Sequence, residues 1–144
     1  MNKKRMIGSL LGLGLFTGTA QASTDSVEQA LVMVNSGELQ TQGMAMVLAN
    51  TMRAQGTHVD VLLCGKAGEL AFKDTENSPL KPKNVTPEQL MMKLQRGGAD
   101  ISVCALFLPN SERGQAALRT GISVAKPPQI SQIMRNEDVR VFNF

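Results

Sequence analysis

Apolar and polar positions divide the chain after residue 29 into short, distinct elements. ALVMVN at Ala30–Asn35 is a continuous apolar run closed by Ser36-Gly37. A short run without alternation predicts a strand buried on both faces. Across residues 41–55, Met44, Val47, Leu48 and Thr51 recur at i, i+3, i+4 and i+7, predicting a helix with that stripe turned to the core. Gly56 is placed to stop it. VDVLLC at Val59–Cys64 predicts a second buried strand, followed by Gly65. Strand, helix, strand is the parallel crossover unit.

The stretch from Lys66 to Lys83 is polar and reads as loop after a turn of helix at AGELAF. Thr86-Pro87-Glu88-Gln89 is a helix start with a mechanism. Thr86 can cap, Pro87 loses no hydrogen bond at the first helical position, and Gln89 completes a capping box. Leu90, Met91 and Leu94 supply the apolar face, and Gly97-Gly98 ends the helix. ISVCALFL at Ile101–Leu108 predicts the third strand, broken by Pro109 and Asn110. Ser111–Arg119 predicts a short helix capped by Ser111, and ISVA a short strand. A turn at Pro127-Pro128, a helix at Gln129–Arg135 and a last strand in VRVFNF complete the pattern.

The alternation predicts a small three-layer α/β sandwich with a mostly parallel sheet. Ligands bind such sheets outside the C-terminal ends of the strands, where the strand order reverses. Asn35–Gly37, Cys64–Gly68 and Cys104–Asn110 are expected to converge there.

Residues 1–22 read differently. MNKKR is basic, MIGSLLGLGLFTGTA is apolar and uncharged, and AQA at Ala20–Ala22 precedes polar residues. That order predicts a secretory signal peptide cleaved after Ala22. The apolar run is shorter than the roughly 20 residues that span a bilayer. The expectation is export to the periplasm, with one domain at residues 23–144 and no membrane-spanning mature form.

Removal of the signal changes the charge. The full chain has 15 basic and 12 acidic residues, formally +3. Lys3, Lys4 and Arg5 leave with the signal, so the remainder is near neutral. No basic stripe or interleaved aromatic set marks a nucleic-acid surface. No cofactor motif and no zinc-ligand spacing is present.

Two cysteines carry the candidate chemistry. Cys104 lies in the third strand towards its C-terminal end. From position alone it reads as a small buried hydrophobe; the functional reading is a thiolate activated by helix-start amides near Ser111. Cys64 ends the second strand. A doubly wound order with the first strand between the second and third separates the two cysteines by two strand spacings, roughly 9.6 Å. A disulfide needs Cα atoms within about 7 Å, so the sheet order disfavours pairing although an exported compartment permits it. His58, the single histidine, reads as a solvated loop residue with no converging carboxylates. Met44, Met46, Met52, Met91 and Met92 read as core rather than a copper site. The amides of Asn35-Ser36-Gly37 form a turn able to cradle an anion or a persulfide.

The pieces LVMVNSG, VDVLLCGKAGELAF and TPEQLMMKLQRGGADISVCA, with the C-terminal strand, resemble the DsrE/DsrF-like sulfur-relay family over nearly all of residues 23–144. The resemblance implies a flavodoxin-like, doubly wound fold, a homo-oligomer, and a persulfide-carrying cysteine at Cys104. It also implies thiol or persulfide donor and acceptor proteins as partners. The Asn35–Gly37 turn and the loop from Leu106 to Ser111 would wall the pocket, with Asn35, Ser36, Gly37, Cys64, Pro109 and Asn110 as its candidate residues. The signal peptide departs from the cytoplasmic members and removes their usual partners. A non-catalytic binding or structural oligomer of the same fold is the alternative.

Overall fold

The computed structural model describes residues 27–144; the predicted signal peptide and its cleavage point lie outside them. The elements run β1 (Gln29–Val34), α1 (Leu39–Ala54), β2 (His58–Leu63), α2 (Pro87–Arg96), β3 (Asp100–Val103), β4 (Ser123–Val124), α3 (Pro127–Arg135) and β5 (Val139–Asn143). Short 3-10 helices occupy Gly65–Ala71, Leu108–Asn110 and Gln115–Ala117. The five strands form one sheet in the order β4-β3-β2-β1-β5, every pair parallel. No helix among the described residues is long and apolar enough to cross a membrane.

The strand order corrects the expectation that β1 would lie between β2 and β3. Right-handed crossovers taken twice in the same direction put both helices on the same face of the sheet. Here α1 and α2 share a face, so β3 adds beyond β2. The larger core lies on that face, where Val32, Val34, Val59, Val61, Leu63, Ile101 and Val103 meet Ala45, Met46, Ala49, Met91 and Leu94. The step to β5 runs the other way and puts α3 on the opposite face. Leu31, Leu62, Ala125 and Val139 are buried there, with Ile130 and Ile133 packed against them.

Sequence signals explain several boundaries. Thr86 accepts from the Gln89 amide at 3.2 Å and Gln89 Oε1 accepts from the Thr86 amide at 3.0 Å, completing the predicted capping box. Gly98, at φ 92°, takes the left-handed conformation that lets α2 turn into β3. Pro127 and Pro128 occupy the start of α3 rather than a turn before it.

Three other expectations are corrected. Met44, Val47 and Leu48 are exposed by 54%, 43% and 42%, and Thr51 is also exposed. The buried side of α1 is built instead from Gln42, Ala45, Met46 and Ala49, whose two alanines let the helix lie close to the sheet, while Gly43 is covered by Leu80. The third strand ends at Val103 because the Phe107 amide bonds the Cys104 carbonyl at 2.9 Å and turns the chain out of the sheet. Ser111–Arg119 forms only a three-residue 3-10 turn at Gln115–Ala117 in place of the expected helix. Arg113 reaches back to pair with Glu69 and Asp74 and lies over the Phe72 ring. Arg119 donates to the carbonyls of Leu70 and Thr75. These bonds tie the segment to the first 3-10 helix.

Candidate functional site

β2 and β3 run parallel in register, with Leu63 opposite Val103. One residue on, Cys64 and Cys104 therefore stand side by side at the C-terminal rim of adjacent strands. The Cys64 amide bonds the Val34 carbonyl at 2.9 Å and the Cys104 amide bonds the Leu63 carbonyl at 2.8 Å, so both extend the ladder. Their Cα atoms are 5.1 Å apart and their sulfurs form a disulfide. The expectation against pairing fails with the strand order on which it rested. One spacing separates these strands, not two, and that distance lies within the disulfide range.

Both cysteines are half-buried. They line a shallow cavity of about 450 Å³ with Gly65, Leu106, Phe107 and Asn110. The cavity wall is fixed by the loop after Cys104. Phe107 packs against Phe72, ring centroids 5.5 Å apart, and passes over Gly68, where a Cβ would stand 2.6 Å from the ring. Asn110 Nδ2 donates to the Leu106 carbonyl at 2.7 Å, and Ser111 Oγ to the Arg113 carbonyl at 2.8 Å. Leu106, at the mouth, is 77% exposed.

Of the residues expected to wall the pocket, Cys64 and Asn110 line this cavity, beside the expected carrier Cys104. Pro109 lies in the adjacent exposed 3-10 turn. Asn35, Ser36 and Gly37 lie at the next strand end rather than in the cavity wall. The amides of Asn35 and Ser36 both bond the Phe144 carbonyl, at 2.8 and 3.3 Å, and Asn35 Nδ2 bonds Asn143 Oδ1. These amides are therefore committed within the chain. The sheet order reverses here, between β1 and β5, so the cysteines stand two strands away from the expected ligand crevice.

The α-helix start expected after Cys104 is a three-residue 3-10 turn. Cys64 is the residue at a helix start, immediately before the 3-10 helix Gly65–Ala71. Leu106 and Phe107, which the apolar pattern assigns to a strand and the family resemblance to the pocket wall, line the cavity.

His58 is the first residue of β2 rather than a loop residue, and two carboxylates do converge on it. Its Nε2 lies 3.7 Å from Asp60 Oδ2 and 3.6 Å from Asp100 Oδ2.

No family profile matches the chain, and no curated protein matches it in sequence. Solved structures do match. The crystal structure of the YchN protein of E. coli superposes with a TM-score of 0.67 at 14% identity, covering 81% of this chain and 99% of that one. MTH1491 of Methanobacterium thermoautotrophicum, a protein of unknown function, gives a TM-score of 0.59 at 13% identity, covering 81% and 98%. The chain thus shares the parallel, flavodoxin-like α/β fold of these two proteins.

Proposed function

We propose that this chain handles sulfur outside the cytoplasm, with Cys104 as the carrier thiol and Cys64 as its resolving partner. The supporting observation is the Cys64–Cys104 pair at the open strand rim, beside an apolar cavity, on a fold of the sulfur-relay type. A disulfide also suits an oxidising compartment.

The chemistry begins from the reduced pair. The Cys104 thiolate attacks the outer sulfur of a donor persulfide, R–S–SH. The donor S–S bond breaks, R–S⁻ leaves, and Cys104 carries –S–SH. An acceptor thiolate then takes the outer sulfur and returns Cys104 as thiolate. When no acceptor arrives, Cys64 attacks the inner sulfur, hydrosulfide leaves, and the disulfide forms. A dithiol reductant protein restores the starting state, its own thiols becoming a disulfide. Donor, acceptor and reductant are protein partners. The exposed Met44, Val47 and Leu48 on α1 favour assembly into a homo-oligomer.

The second reading is a structural oligomer in which the disulfide is a permanent staple between β2 and β3. Its support is that the bond joins in-register neighbours. Mass spectrometry of the protein after mild reduction and exposure to a low-molecular-weight persulfide separates the two readings. Added sulfur on Cys104, lost in Cys104→Ser, supports carriage. A disulfide that resists dithiol reductants until the protein is denatured supports the staple and rejects carriage.

A further inference from the structure

The N-terminal edge of the sheet holds a second group of chemically capable side chains. It lies six residues along β2 from the cysteines, roughly 20 Å at strand rise. His58 and Asp60 are two apart on β2, so their side chains leave the same face. Asp100, the first residue of β3, is the register partner of Asp60 and projects to that face too. The strands thus bring one imidazole and two carboxylates together.

The distances define what the group can do. His58 Nε2 stands 3.7 Å from Asp60 Oδ2 and 3.6 Å from Asp100 Oδ2, and one ligand atom from each residue lies within 4.8 Å of the others. These separations are too long for direct hydrogen bonds. They are close to the edge of a zinc tetrahedron, about 3.4 Å for bonds of about 2.1 Å. Charge points the same way. Two in-register carboxylates on adjacent strands repel and share a single imidazole, so the group is negative whether that imidazole is neutral or protonated. Asp60 is held in place, since Gln29 Nε2 donates at 2.7 Å to the same Oδ2 that faces His58.

We propose that His58, Asp60 and Asp100 bind a divalent transition-metal ion of the zinc class. One nitrogen and two carboxylate oxygens suit a borderline cation. The remaining positions face solvent, because His58 is 47% and Asp100 78% exposed. Gln29 is a positioning residue that orients Asp60 from outside the metal's first shell. The site is independent of the cysteine chemistry.

The test uses protein purified without a histidine tag, its disulfide intact and no reductant present, so that the cysteines do not compete. His58 is the chain's single histidine, so its imidazole signals in NMR report on one residue. Zinc chloride is expected to shift those signals saturably at one equivalent. Asp60→Asn and Asp100→Asn are each expected to weaken binding. Gln29→Ala is expected to weaken it by about tenfold, the effect of losing an orienting partner. The proposal is overturned if millimolar zinc leaves the imidazole signals in place. It is equally overturned if the titration is unchanged in the Asp60→Asn/Asp100→Asn double variant, since the imidazole would then be acting alone.

Discussion

Cys64 and Cys104 are forty residues apart in sequence and neighbours across one strand spacing, with Cα atoms 5.1 Å apart. The bond closes a long loop that includes α2 and β3. Loop-closure entropy for a ring of that size stabilises the folded state by about 4 kcal/mol. We expect the Cys64→Ala/Cys104→Ala protein to unfold at markedly lower urea concentration than the oxidised parent. Reduction of the parent should bring its midpoint close to that of the variant. A midpoint that does not move would mean that the unfolded state is already restrained or that the bond strains the native rim.

The same bond shows where sequence reasoning stopped. Each strand was legible as a short apolar run, and both cysteines were placed at strand ends. The pairing depended on whether β3 adds beside β2 or on the far side of β1. That choice is equivalent to the face on which α2 packs. Leu90, Met91 and Leu94 form an apolar stripe that suits either face, so the local pattern carries no information about it. The end of the third strand was hidden for a different reason. ISVCALFL is apolar apart from Ser102, and the turn after Cys104 comes with packing of Phe107 on Phe72 and Gly68.

That packing makes Gly68 sensitive. A Cβ there would stand 2.6 Å from the Phe107 ring, with both partners held by neighbouring contacts. Gly68→Ala should cost about 1–3 kcal/mol, the usual range for overpacking. It should also push Phe107 away from the rim, so that Cys104 in the reduced variant is alkylated faster than in the reduced parent. Unchanged alkylation with lowered stability would place the strain elsewhere than the cavity wall.

Thr86 tests a feature that the sequence and the structure give alike. Its hydroxyl accepts from the Gln89 amide, and Gln89 reciprocates. Thr86→Ala removes the side-chain acceptor at the start of α2 and should destabilise the protein by about 1 kcal/mol. Urea unfolding would measure it. Thr86→Ser keeps the acceptor and should remain close to the parent.

The exposed stripe of α1 gives the remaining prediction. Met44, Val47 and Leu48 have the periodicity of a core face but point to solvent. The sheet-facing side is made of Ala45, Met46 and Ala49, while Leu80 lies directly over Gly43. Small residues bring the helix close to its own sheet, while the larger apolar residues remain outside. Nearby, Met44 and Val47 line a groove with Leu80, Val85 and Leu90. A stripe of this kind is costly in water unless another surface covers it, and a homo-oligomer would provide that cover. Val47→Glu and Leu48→Glu introduce charge on the outer face without touching the residues that pack on the sheet. Each variant should fold with a near-parental unfolding midpoint. In sedimentation velocity the parent should run as an oligomer and both variants as monomers. If the parent itself sediments as a monomer at micromolar concentration, self-association does not cover this face, and a different protein is the partner to seek.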